Sequence, residues 1–317
     1  MPGMALARAG ASLAPMPILR YSIEDWHRLR AYRMAALPAK ESMPPQTGIG
    51  CNYSRSLLEL LERGALDVDW IKLSRLDAIE MELAQARPRR PVLLHMLPNA
   101  GCRPEQWEGF PWAELPRWAS EAGSPHIALH LESRPEDWDE PIAIHYQTRE
   151  QAQAVLRRFC AGIRDLRARL DLPVLVENCP LYPRHSMLRL CAQPEAIWQV
   201  LEETGAGLLL DASHVRCTAW HLGVDPRAYA RALPLERVRE IHLAGPRLVR
   251  DFGLRDRHFA LQQEDWALLE WLLAHTQPQI VTLEYGGTGP LFETRARNDP
   301  AQLEAQLRRL HSLVVGG

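Results

Sequence analysis

Residues 207–215 read GLLLDASHV, residues 240–245 read EIHLAG and residues 255–258 read RDRH. Asp211 and His214 stand three apart at the end of an apolar run that has the character of a buried strand. His242 falls late in a second such run, and Asp256 and His258 follow after a short loop. Carboxylates and imidazoles in the order D-x-x-H, H, D-x-H form a metal-ligand pattern, because each offers a lone pair to a divalent cation at about 2.0–2.2 Å.

Working outward, runs of the same kind recur along the chain. TGIGCNY (47–53), DWIKLS (69–74), PVLLHML (91–97), HIALHLE (126–132) and PVLVENC (173–179) precede the two just quoted, AGLLLDA (206–212) and VREIHLAG (238–245), and QIVTLEY (279–285) follows them. They are short, continuously apolar and rich in Val, Ile and Leu, which suits parallel strands covered on both faces. Between them lie helical patterns such as SLLELLERG (56–64), TREQAQAVLRRFCAGIRDLRARL (148–170) and PEAIWQVLEETG (194–205). In 148–170, Ala152, Val155, Leu156, Phe159, Ile163 and Leu166 recur at spacings of three and four, one face of a helix, and Thr148 with Gln151 resembles a capping box. Gly205 stands where the 194–204 helix needs a residue tolerant of positive φ.

Eight strands alternating with helices point to an α/β fold, a single (β/α)8 TIM barrel. A doubly wound open sheet is the alternative. Against it, GIGCNYS after the first strand has two of the three glycines of a dinucleotide fingerprint, and no Walker-A pattern occurs. Residues 46–317 are expected to form the barrel, with 1–45 an N-terminal extension that includes an amphipathic stretch at 21–36 and a Pro-rich linker at 38–45.

In a barrel the carboxyl ends of all strands converge on one mouth, where such enzymes keep their chemistry. His95, His130, Glu177, Asp211, His242 and Glu284 lie at or near those ends, and His214, Asp256 and His258 in the loops above strands six and seven. A lone histidine is ordinarily a structural residue. Four carboxylates gathered in one mouth would repel each other and carry a heavy desolvation cost, whereas two or three divalent cations would neutralise them. The nine together therefore point to a multinuclear metal centre. Asn178 and His221 are weaker candidates for lining the pocket. His126, at the far end of the fourth strand, is expected to face a helix, and Gly286, Gly287 and Gly289 form a loop at the mouth that serves as a gate or a turn.

The chain has 317 residues, a formal charge of −2 and no Lys/Arg-rich run, so nucleic acid is not an expected partner. Cys51, Cys102, Cys160, Cys179, Cys191 and Cys217 include no C-x-x-C pair and read as reduced thiols of a cytoplasmic protein. No apolar run reaches membrane-spanning length, so no membrane partner is expected.

The stretch TGAGLLLDASHVRCTAWHLGVDPRAYARALPLERVREIHLAG (204–245), with PVLVENCPLY before it, resembles the multinuclear non-haem iron-dependent oxidative enzymes, TIM barrels of the xylose-isomerase-like superfamily. The similarity runs over roughly 47–285 and is strongest over 173–258. It implies an oxidoreductase with two or three iron ions (Zn or Mn in alternative readings) that uses O2 to modify a side chain, expected to be cysteine, of a ribosomally made precursor peptide. Such enzymes often work with a small partner that grips the leader peptide. By the superfamily's pattern, His95, His130 and Glu177 would hold one metal. Glu177 would bridge to a second ion shared with Asp211, His242 and Glu284, and His214, Asp256 and His258 would hold a third. The chain departs from the family at Leu129, at Pro246 and in MLPNAGC (96–102), none of which is among the nine. The alternatives are an endonuclease-four-like metal-dependent phosphodiesterase, or a sugar isomerase or epimerase on the same barrel.

Overall fold

The computed structural model describes residues 47–182, 184 and 187–315. The extension expected over 1–45, with its amphipathic stretch at 21–36 and Pro-rich linker at 38–45, lies outside the described residues. Every expected strand forms: β1 Gly48–Asn52, β2 Trp70–Leu73, β3 Val92–Leu94, β4 Ile127–His130, β5 Val174–Glu177, β6 Gly207–Asp211 and β7 Val238–Leu243. A hairpin, β8 Gly245–Val249 and β9 Gly253–Phe259, precedes the last barrel strand, β10 Ile280–Leu283. The eight barrel strands pair in parallel and close where β10 joins β1 on one side and β7 on the other, with Val281 opposite both Ile49 and Ile241.

Alternation along each strand sorts the side chains into two environments. Leu94, Ile127, Leu129, Val174, Val176, Leu208, Leu210, Ile241, Leu243 and Val281 point outward into the continuous core shared with the helices. Inside the barrel the apolar content is small: Ala128, Leu175 and Leu209 form a separate cluster of their own. Two residues further along β4, β5 and β6, on the same inward face, stand His130, Glu177 and Asp211. The mouth is thus polar because inward positions beyond that plug carry ligand-type residues. Leu129, one of the departures from the family pattern, faces the outer core, so its change of type leaves the mouth untouched.

The helices form as their patterns require. Arg149–Arg169 starts at Thr148, whose side chain accepts from Gln151 N while Gln151 accepts from the Thr148 backbone. Pro194–Thr204 ends at Gly205 with φ 69°. No helix among the described residues is long and apolar enough to cross a membrane.

Three sequence expectations need correction. His214 does not lie in a loop but in the first turn of the helix Ala212–Leu222, which follows β6 directly. Asp256 and His258 do not lie in a loop but on β9 of the antiparallel hairpin, paired through Arg247–Arg255 and Leu248–Leu254. His126 does not face a helix. It sits an even number of residues before His130, so strand alternation turns it inside the barrel, where its Nε2 lies 2.6 Å from Glu240 Oε2.

Candidate metal centre

The D-x-x-H spacing has a local structural meaning. Asp211 ends β6 and is the N-cap of helix Ala212–Leu222, and its Oδ1 accepts from His214 N at 2.6 Å. Capping occupies one carboxylate oxygen and leaves Oδ2 buried with no hydrogen-bond partner. The same turn carries His214 over the mouth, where Nδ1 is 2.8 Å from the Asn178 carbonyl. Because a carbonyl only accepts, Nδ1 bears a proton, and Nε2 is turned toward Asp256, 3.6 Å from its Oδ2.

Glu177 is the hub. Its Oε2 lies 2.8 Å from His95 Nε2, 3.4 Å from His130 Nε2 and 3.8 Å from His242 Nδ1, while Oε1 lies 3.2 Å from His214 Nδ1. Despite these approaches, Glu177 Oε2 has no partner in hydrogen-bond geometry, and neither has His242 Nδ1. Buried polar atoms are nearly always paired. Three of them, Glu177 Oε2, Asp211 Oδ2 and His242 Nδ1, stand together without donors or acceptors of their own, a donor set suited to a cation. His95–Glu177–His242, Glu177–Asp211–His214 and Asp211–His242–Glu284 each bring one ligand atom per residue within 4.8 Å of the others.

The hairpin supplies the outer part. Gly245 allows it: a Cβ there would lie 2.2 Å from the Phe259 carbonyl oxygen and 2.6 Å from that of Ala260, so only glycine lets the returning strand cross so closely. Asp256 is held by Ser213 Oγ donating to its Oδ1 at 3.0 Å and by its own N–H donating to Tyr182 Oη at 3.1 Å. His258 adopts φ 52°, a conformation uncommon outside glycine and found at sites where strain is retained for function. Its Nδ1 donates to the Glu284 carbonyl at 3.0 Å, which leaves Nε2 3.2 Å from Asp256 Oδ2.

The protonation states follow from this crowding. Burial, with the positive charge of Lys72 second, pushes His95 down to about 4. Burial, only partly offset by His214, lifts Asp211 to about 7. For His258 burial works against the charge, but the Asp256 carboxylate outweighs it and raises the imidazole to about 9. Burial likewise opposes ionisation of Glu177, yet His130 and His95 hold it well below the usual carboxylate range.

All nine expected ligands therefore gather at one mouth, with Asp256 and Glu284 on the same side of the molecule, both touched by His258. The two weaker candidates make hydrogen bonds to the backbone. Asn178 clamps β5 to β6, its Oδ1 accepting from Asp211 N at 2.9 Å and its Nδ2 donating to Asp211 O at 3.2 Å. His221 packs under the hairpin with Nε2 3.0 Å from the Leu254 carbonyl. Gly286 and Gly289 both take φ 85° in a turn, and a Cβ on Gly287 would strike the Phe292 ring.

Two residues beneath the mouth, Lys72 and Glu240, were missed from sequence, and His126 was placed on the wrong face. Lys72 Nζ donates to Glu284 Oε1 inside the barrel. Glu240 accepts from His126 Nε2 at 2.6 Å, His242 Nε2 at 3.1 Å and Thr282 Oγ1 at 2.6 Å. The available signal was strand parity, since Glu240 lies two before His242 and His126 four before His130. A carboxylate behind a histidine fixes which ring nitrogen faces a metal, and here it leaves His242 Nδ1 for the centre.

Among known proteins, the family model for the RiPP precursor modification enzyme MbnB/TglH/ChrH matches residues 141–302, a little over half of the chain. The chain belongs to this family. The matched MbnB/TglH/ChrH segment carries Glu177, Asp211, His214, His242, Asp256, His258 and Glu284, and it contains the stretch that resembles the multinuclear non-haem iron enzymes. Curated relatives of this family member are UPF0276 proteins. That of Bordetella pertussis is 39% identical over 142 residues, 43% of this chain and 49% of the relative. That of Caulobacter vibrioides is 30% identical over 175 residues, 53% of this chain and 58% of the relative. The chain thus spans about half the length of the curated relatives it matches. Among solved structures, a xylose isomerase domain containing protein from Salmonella typhimurium aligns with TM-score 0.57 and 18% identity over 87% of this chain and 100% of its own. The 3-keto-D-glucoside 4-epimerase of E. coli aligns with TM-score 0.53 and 16% identity over 84% and 100%. At that identity these likenesses show the barrel fold alone and nothing of the chemistry.

Proposed function

We propose that this MbnB/TglH/ChrH family member is a multinuclear non-haem iron oxidase that uses O2 to modify a cysteine side chain of a ribosomally made precursor peptide. The observation that carries the reading is the set of unpaired buried atoms, Glu177 Oε2, Asp211 Oδ2 and His242 Nδ1, at the meeting point of nine imidazole and carboxylate side chains. Such a donor set holds iron, zinc or manganese and lacks the soft ligands that favour copper(I). In this reading His95, His130, Glu177, Asp211, His214, His242, Asp256, His258 and Glu284 hold two or three iron ions. Bound iron supplies the one-electron and O2 chemistry that protein side chains lack.

The chain's own contribution is placement and exclusion of water. The side chains of His95, Glu177, Asp211, His214, His242, Asp256 and Glu284 are each 10% exposed or less, whereas those of His130 and His258 are 33% and 21% exposed. Those two imidazoles mark the open side, where a substrate thiol would enter. The reading includes a small partner protein that holds the leader peptide. It places the reaction in the cytoplasm, where six buried free thiols stay reduced.

The test is purification without air, elemental analysis, and incubation with O2 and the precursor peptide encoded beside the gene, followed by mass spectrometry and an oxygen electrode. Bound iron, O2 consumption and a mass change at a peptide cysteine are expected. Protein that carries zinc alone, consumes no O2 and leaves the peptide unchanged would refute it.

A further inference from the structure

Lys40 and Lys72 are the chain's two lysines among 37 basic residues. Arginine serves at every other cationic position, so a lysine inside the barrel calls for a physical reason. Lys72 lies on β2, opposite Asn52 of β1, and is 4% exposed. The space beside it, lined in part by Leu93, His95, Glu240 and His242, has no room for a water molecule. An ammonium fits there as a compact point charge where a planar guanidinium would need a wider fork of acceptors. Without water, its charge must be met by carboxylates.

The carboxylate it takes is one of the candidate ligands. Lys72 Nζ donates to Glu284 Oε1, and that same oxygen lies 3.3 Å from the unpaired His242 Nδ1. Asp211, His242 and Glu284 could jointly hold an ion. A cation there would have to share Glu284 with an ammonium already bound to it, in an interior where charges are weakly screened.

We propose that Lys72 is a built-in competitor cation that makes the Asp211–His242–Glu284 position the last of the centre to fill and the first to empty. With that position empty, the lysine is the cation that faces the Glu284 carboxylate. The inference rests on the metal-centre reading but not on the identity of the substrate, and its test uses metal alone.

Metal-stripped full-length protein is titrated with Zn2+, and bound ions are counted by elemental analysis after dialysis at buffered free metal. Lys72→Met, which removes the charge and keeps an unbranched side chain of similar length, should tighten the weakest-bound ion by at least about tenfold. Equal affinity of that ion in parent and Lys72→Met would overturn the proposal. If Lys72→Met does not fold, crystals of the parent soaked in rising Zn2+ decide by anomalous scattering. The Asp211–His242–Glu284 position should fill last, and its filling first or together with the others would overturn the proposal. Absence of any ion at the mouth would overturn the metal-centre reading as well, so the two failures are distinct.

Discussion

Truncating Glu240 to alanine tests whether the residues beneath the mouth organise it. Glu240 is 1% exposed and accepts from three side chains: His126, His242 and Thr282. Glu240→Ala leaves three buried donors without an acceptor, at about 1–3 kcal/mol each, of which relaxation recovers part. Breaking a buried charged pair by removing one partner costs about 3–5 kcal/mol, and we expect a loss of stability of that order. The effect on the metal is separate. Without its acceptor the His242 ring is free to turn or to change tautomer, and loss of such a supporting group weakens metal affinity by about 10–100-fold. Glu240→Gln keeps the shape. Its amide oxygen can accept from His242 and Thr282, and its NH2 can donate to a His126 whose proton has moved to Nδ1, so its losses should be well under those of alanine. Denaturant unfolding of the metal-free proteins gives the first magnitude, and a competitive Zn2+ titration gives the second. If Glu240→Ala unfolds with the parent and binds Zn2+ as tightly, Glu240 does not position His242 and the supporting network has no such role.

Gly245→Ala should displace the hairpin, because the new Cβ meets backbone oxygens at 2.2 and 2.6 Å; we expect a cost of about 1–3 kcal/mol and a lower metal count, with the barrel retained by circular dichroism. Parent-like metal content would show that the hairpin tolerates the methyl group. Metal loading should release protons at pH 7, because His258 sits at about 9 in the metal-free protein and must be neutral to ligate. Apparent affinity should therefore rise as pH increases toward 9 and flatten above it, and a flat profile from pH 6 to 9 would contradict this. Chelation should lower the melting temperature, since Glu177, Asp211, Asp256 and Glu284 then lose their neutralising ions. At about 100 Kd of free metal the restored stability is about 2.7 kcal/mol, or roughly 5–10 °C by calorimetry. No shift on chelation would mean that the mouth is stable without cations.

Sequence by itself determined the barrel and the list of donors. Eight apolar runs with helices between them have few other solutions, and strand parity places His130, Glu177 and Asp211 on the face that Ala128, Leu175 and Leu209 share. Even the Asp211–His214 spacing is local, being the reach of a helix cap. Tertiary structure alone decided who meets whom. Lys72 and Glu284 are 212 residues apart and join only because β10 closes the barrel onto β1, next to β2. His126 and Glu240 are 114 apart and meet across the interior. The hairpin that returns Asp256 and His258 to the mouth depends on a backbone crossing at Gly245 that no periodicity announces. Periodicity reports which way a side chain points relative to its own strand. What it meets there depends on closure, which brings distant segments together and leaves no mark within any one of them.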